Sequence, residues 1–169
     1  MKLNFATQRI AIFIDIANLY HSAKNLYQSR INFGELIFEI VQKRKLVRAL
    51  AYGLKSKSGE EKNFFTALKK LGIELRIKEL QEYSSGFKKG NWDVGMTIDV
   101  MKIAPSVDTI VLVTGDGDFV PLVEYLQYQG KRVEVVAIGS TCSSKLKIIA
   151  DEFFDIEKKA HKFLFPIKK

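Results

Sequence analysis

Cysteine is nearly absent: Cys142 is the only one in 169 residues, which excludes an internal disulfide. Histidine is almost as scarce. His21 and His161 alone leave too little nitrogen and sulfur for a zinc centre, so a bound metal must be held by oxygen. Hard cations, Mg2+ or Mn2+, suit such donors. No apolar run approaches the roughly 20 residues that span a bilayer, so no membrane is expected. Residues 1–8 lack the apolar stretch of a secretory signal, and the first strongly apolar run already contains Asp15, so the chain is expected to be cytoplasmic. No internal repeat, low-complexity tract or linker interrupts it.

What is present is the composition of a folded protein. Hydrophobic residues make up 47% and charged residues 27%, and the length suits a single domain that buries its own core. Lys and Arg outnumber Asp and Glu by 27 to 19, a formal charge of +8. A basic surface attracts polyanions, and nucleic acid is the natural partner of that charge.

Short apolar runs over residues 10–16, 46–54, 73–80, 109–113 and 132–138 predict strands. Helical spacing lies between them. Asn32, with Glu35 three residues on, predicts a capped helix through Val41. Helices are also expected over 60–71, 92–103 and 119–129, with Gly72 and Gly130 as stops. Alternating strands and helices predict an α/β fold, a mainly parallel sheet of about five strands flanked by helices. The runs IAIFI and TIVLV are apolar at almost every position, as in central strands buried on both faces. The stretch 81–91 is the expected long surface loop.

Ligands of open parallel sheets bind at the carboxyl edge. Asp15 ends the first strand, Asp116 follows the strand 109–113, and Asp118 precedes the next helix. A crossover helix runs antiparallel to the strands, so Asp93, near the start of 92–103, reaches the same edge. Asp99 lies roughly 9 Å further down the axis and about 240° round it, and is expected to support the site from outside. Crowded carboxylates raise one another's pKa, and a divalent cation relieves the repulsion. Asp15 and Asp116 are expected at the centre, with Asp118 beside them. Each acid has a structural alternative: Asp93, Asp116 and Asp118 as turn or helix caps. Asp15 resists one, since a carboxylate closing an apolar strand has no packing reason to be there. Asn18 either holds the Asp15 turn, fixes a water at a metal, or caps a helix. Thr114 either bonds into the site or closes its strand. Lys89 either grips a phosphate or is simply solvated.

The segments FIDIANLY (13–20), KGNWDVGMTIDV (89–100), VTGDGDFVPLVEYLQYQGKRVEVV (113–136) and SSKLKIIADEF (143–153) resemble NYN domains, in particular their LabA-like branch. The likeness covers a core of about 10–156, leaving 157–169 as a C-terminal tail. It implies the PIN-like (Rossmann-like) three-layer sandwich and a divalent-metal ribonuclease. By position, Asp15, Asp93, Asp116 and Asp118 match the family's acidic site, Asn18 its asparagine and Asp99 a recurrent aspartate. Asn91 and Trp92 stand before Asp93, where the family commonly has one residue.

Two alternatives carry different chemistry. TGDGDF is similar to the late acidic motif of haloacid-dehalogenase-like phosphatases, but these need a second aspartate where this chain has Ala17. The other is an RNA-binding or regulatory module with a vestigial site, since neither histidine falls in a motif. Lys43, Arg44, Lys45, Arg48, Lys55, Lys57 and Lys62 form either an RNA-facing set or solvated helix and loop faces, the commoner outcome for such charges. Tyr20, Tyr27, Phe87 and Trp92 are candidates for stacking on single-stranded RNA, with Trp92 and Phe87 foremost.

Overall fold

Alternate side chains of a strand point to opposite faces, and in the first strand both faces are apolar. Ile10, Ile12 and Ile14 pack into one core and Ala11 and Phe13 into another, all buried. The computed structural model describes residues 7–55, 59, 61–79, 81–82, 88–89 and 91–167, with 81–82 and 88–89 as backbone only. The chain runs β1 (Arg9–Asp15), α1 (Ile16–Tyr27), β2 (Ser29–Ile31), α2 (Phe33–Val41), β3 (Lys45–Lys55), α3 (Lys62–Lys70) and β4 (Glu74–Glu79). The small strands β5 (Gln81–Glu82) and β6 (Lys88–Lys89) follow, then α4 (Asp93–Ile103), β7 (Thr109–Val113), α5 (Val120–Tyr128) and β8 (Arg132–Ala137). It closes with α6 (Ser144–Ile149), β9 (Glu152–Asp155), α7 (Ala160–Phe163) and β10 (Leu164–Pro166).

Six strands form one sheet in the order β4-β3-β1-β7-β8-β9, and every pairing is parallel. Leu19, Ala23, Leu36 and Leu68 cover one face and Met96, Val100, Val123 and Leu126 the other. This is the expected three-layer α/β sandwich. Among the described residues no helix is long and apolar enough to cross a membrane.

Three expectations change. The sheet has six strands rather than about five, because β9 is a four-residue edge strand whose EFFD lacks the apolar alternation that betrays a strand; short charged edges are how sheets resist further pairing. The stretch 157–169 folds back through Ile167: Phe163 is fully buried, its ring 5.7 Å from Phe154, and β10 pairs with β2. Elements of three and four residues carry no readable period. The first helix starts at Ile16, so the apolar run 10–16 is divided between β1 and α1. The helix stops behave as expected, with Gly72 and Gly130 at φ of 80° and 73°, a region that disfavours side chains.

At the amino edge, Arg44 and Glu134 form a nearly buried ion pair of 2.7 Å, their side chains 9% and 11% exposed. Arg132 adds a 3.0 Å contact to the same carboxylate. Removing one partner of a buried pair strands the other charge. Arg44→Ala is expected to destabilise the chain by about 3 kcal/mol, the low end for buried pairs because Arg132 stays on Glu134. Urea titration should show a lower midpoint at unchanged slope.

Candidate active site

The chain enters the sheet at its centre with β1, works outward to β3 and β4, then returns to β7 and works outward the other way. The loops after β1 and β7 therefore diverge and leave a crevice between them at the carboxyl edge. Asp15 closes β1, and Thr114, Gly115 and Asp116 follow β7 directly. An open pocket sits there, lined by Asp15, Ala17, Asn18, His21, Tyr52, Asn91, Trp92, Asp93 and Asp116, with Leu54 at its wall.

Two hydrogen bonds tie the two diverging turns together, and one more sets each turn. Asp15 is the N-cap of α1, its Oδ1 accepting from the Asn18 N–H at 3.1 Å. Its Oδ2 accepts from the buried Thr114 hydroxyl at 3.2 Å. Asn18 Oδ1 accepts from the Gly115 N–H at 2.9 Å, and Thr114 Oγ1 accepts from the Asp116 N–H at 3.3 Å. The cap role considered for Asn18 thus falls to Asp15, while Asn18 and Thr114 hold the turns. Beyond them, Asp116 Oδ1 accepts from the Asp118 N–H at 2.9 Å, setting the short turn Gly117–Phe119. The glycines of GDGD serve close approach. A Cβ at 115 would lie 3.0 Å from Cys142 Cα and one at 117 would lie 2.8 Å from Ser143 Oγ.

Asp93 arrives from the other wall. It is the first residue of α4, with Trp92 as N-cap. The Trp92 indole N–H donates to Gly53 O of β3 at 2.9 Å, and its ring meets Tyr52 edge-on at 5.3 Å. Lys78 Nζ lies 4.0 Å above the indole and donates to Asn91 O at 3.3 Å. Asn91 Nδ2 donates to Asp93 Oδ2 at 2.6 Å. The two residues before Asp93 are therefore a clamp on the start of α4, and Trp92 is used for structure. A Cβ at Gly95 would stand 2.7 Å from the indole, so the clamp requires glycine there.

Asp93, Asp116 and Asp118 each bring a carboxylate oxygen within 4.8 Å of the others. Asp15 lines the same pocket but is not in that tightest group, because its two oxygens are turned to Asn18 and Thr114. The convergence thus centres on Asp116 with Asp93 and Asp118, where Asp15 and Asp116 were expected. Burial pushes the Asp15 carboxyl above its ordinary pKa, and the charges of Asp93 and Asp116 push the same way. Asp93 is raised likewise, first by burial and then by Asp116 and Asp118.

Other candidates lie elsewhere. Asp99 turns to the strands, accepting from the Tyr52 hydroxyl at 3.0 Å and from Arg76 Nε at 3.3 Å. It braces α4 from below. Lys43, Arg44, Lys45 and Arg48 sit at or before the start of β3, the edge opposite the pocket, and Arg44 and Arg48 are paired with Glu134 and Glu74. Among the described residues of that set, Lys55 and Lys62 lie toward the carboxyl edge. The Lys89 side chain, Lys57 and Phe87 fall outside the described residues. His21, Tyr52 and Lys78 also stand at the site, unforeseen from the sequence. His21 was within reach, standing four residues after Ala17 and three after Asn18 on one face of a helix.

A model described as the NYN domain matches residues 9–157. The chain belongs to the NYN domain family. It is 31% identical to the low amplitude and bright protein LabA of Synechococcus elongatus over 90% of this chain and 86% of that protein. An uncharacterized protein of Methanocaldococcus jannaschii is 33% identical over 50% of this chain and 41% of its own. The crystal structure of a Vibrio parahaemolyticus protein of unknown function superimposes with a TM-score of 0.86 at 33% identity, covering 97% of this NYN chain and all of that one. The fold is thus that of an NYN domain, and it carries an acidic Asp cluster.

Three crowded carboxylates are an oxygen donor set that fits a hard divalent cation. A carboxyl whose pKa is higher folded than unfolded binds its proton more tightly in the fold. Metal-free stability therefore rises as pH falls through the folded pKa toward the ordinary carboxylate value, and is lost as pH rises. A cation competes with those protons, so its affinity runs the opposite way. Mn2+ affinity, followed by calorimetry, should fall as pH drops from neutrality into the raised range of Asp15 and Asp93. At neutral pH without metal, Asp93→Asn should raise the melting temperature by about 2 °C while weakening Mn2+ binding. Gly95→Ala should displace the indole, destabilise the chain by about 1–3 kcal/mol, and weaken Mn2+ binding although it touches no carboxylate.

Proposed function

We propose that the chain is a divalent-metal-dependent ribonuclease that hydrolyses phosphodiester bonds of single-stranded RNA in this pocket. The observation that carries the proposal is the convergence of Asp93, Asp116 and Asp118 within 4.8 Å beside Asp15 in an open pocket. Membership of the NYN family, whose members are regarded as ribonucleases, supports it. So does a net charge of +8 around a local acidic cluster: the chain attracts a polyanion while the site itself repels one until a cation is held there.

Asp93, Asp116 and Asp118 would hold Mg2+ or Mn2+. Such a cation, when bound, activates water, orients the scissile phosphate and neutralises the charge that builds up in the displacement. The chain's own residues set the stage. Asp15 spends one lone pair of each oxygen on Asn18 and Thr114, which leaves others facing the pocket for a proton or a ligand bond. Asn18, fixed by the Gly115 N–H, keeps the floor in place. Asn91 holds the Asp93 carboxylate in its direction. Ala17 on the pocket wall leaves space there and offers no acid, which argues against the phosphatase alternative.

Incubation with labelled single-stranded RNA and Mg2+ or Mn2+ should yield cleavage that chelation stops. Asp116→Asn should lower it by more than about 100-fold. The amide keeps an Oδ1 acceptor for the Asp118 N–H, so circular dichroism should be unchanged. An unmodified chain that binds RNA and metal yet leaves varied RNAs uncut would instead make this a binding module.

A further inference from the structure

One face of α1 leads straight out of the pocket. Ala17, Tyr20, His21 and Lys24 are spaced at three, four and seven residues, which places them along one side of the helix. Leu19 and Ala23 are buried in the core on the opposite side. Ala17 and His21 line the pocket itself, and Lys24 lies about 10 Å along the axis from Ala17, at 1.5 Å per residue. Tyr20 is 44% exposed, although a phenol ring gains most by burial. Its ring meets His21 edge-on at 5.6 Å, and Lys24 Nζ stands 5.5 Å from its centroid. An exposed aromatic between an imidazole and an ammonium group, beside a phosphate-directed pocket, has the chemistry of a single-strand platform. Every base has a π-face to stack, and every nucleotide has a phosphate for a cation. Trp92 and Tyr52, which line the pocket itself, are already committed, Trp92 to Gly53 and Lys78 and Tyr52 to Asp99.

We propose that this face of α1 is the track on which an RNA strand leaves the pocket, with Tyr20 stacking on a base and His21 and Lys24 holding phosphate oxygens. The track rests on the ribonuclease assignment above, and its test separates the two. The measurement is fluorescence anisotropy of a short labelled single-stranded RNA with the chain carrying Asp116→Asn, which binds without cutting. Tyr20→Ala is expected to weaken binding about tenfold, and Tyr20→Phe to restore it. Lys24→Ala should reduce the slope of log affinity against log salt by about one. His21→Ala should weaken binding evenly across sequences. Tyr128→Ala, at an 88% exposed tyrosine on α5, should change nothing. In the cleaving chain Tyr20→Ala should raise KM and leave kcat, as expected for a contact made equally in ground and transition states.

Equal binding by parent, Tyr20→Ala and Lys24→Ala, with cleavage by the unmodified chain intact, would overturn the track and spare the ribonuclease. Loss of Mn2+ affinity in Tyr20→Ala alongside loss of RNA would also overturn it, by showing the effect to be structural. A parent that binds no RNA, in a chain that cuts none, would overturn both.

Discussion

The carboxylate of Asp15 faces two turns that the topology drives apart. The chain leaves β1 toward one side of the sheet and β7 toward the other, and the strand pairing, which ends at Ile14 and Val113, does not hold the turns beyond it together. Asp15 does so, accepting from Asn18 on its own turn and from Thr114 on the other, while Asn18 reaches back to Gly115. The position of Asp116 follows, because its own N–H is held by Thr114 Oγ1. The Asp118 N–H is then set by Asp116. A charge that closes an apolar strand is costly; here it fastens the two turns that leave the paired strands β1 and β7, and the pocket is the gap it spans.

The opposite wall works by different means. Asp93 is delivered by an indole wedged between β3 and the first turn of α4, under an ammonium group and over a glycine. Three acids are thus brought together from two independently braced walls, against their own repulsion. The Asp15 and Asp93 carboxyls are raised first by burial, and the charges of their acidic neighbours push the same way. The rest of the fold is arranged to bear that repulsion. Two apolar layers bury both faces of β1 and β7, and the ion pairs Arg44 with Glu134 and Arg48 with Glu74 lie away from the pocket.

Much of this was open to inspection before any coordinates. IAIFI and TIVLV marked the central strands because a strand buried on both faces has no polar alternation to preserve. GDGD marked the acidic turn, and helix direction alone brought Asp93 to the correct edge and sent Asp99 away from it. The sixth strand and the closing Leu164–Pro166 segment escaped notice because three- and four-residue elements are stabilised by the neighbours they join. The basic set after α2 could not be resolved from the sequence for a related reason: Arg44 and Arg48 meet Glu134 and Glu74 from other elements, and a sequence displays charge without displaying its partner.

The sequence by itself determined the fold class, the edge at which a site must form, and the acids available to it, since these depend on residue type, period and direction along the chain. Only the tertiary structure decided which acids converge, that Asp15 fastens the turns while Asp93, Asp116 and Asp118 gather above it, and that Trp92 is a wedge while Tyr20 stays exposed. Those outcomes depend on contacts between residues far apart in the chain, such as Trp92 with Gly53 and Thr114 with Asp15. Local propensity has no knowledge of such partners until the sheet has assembled them.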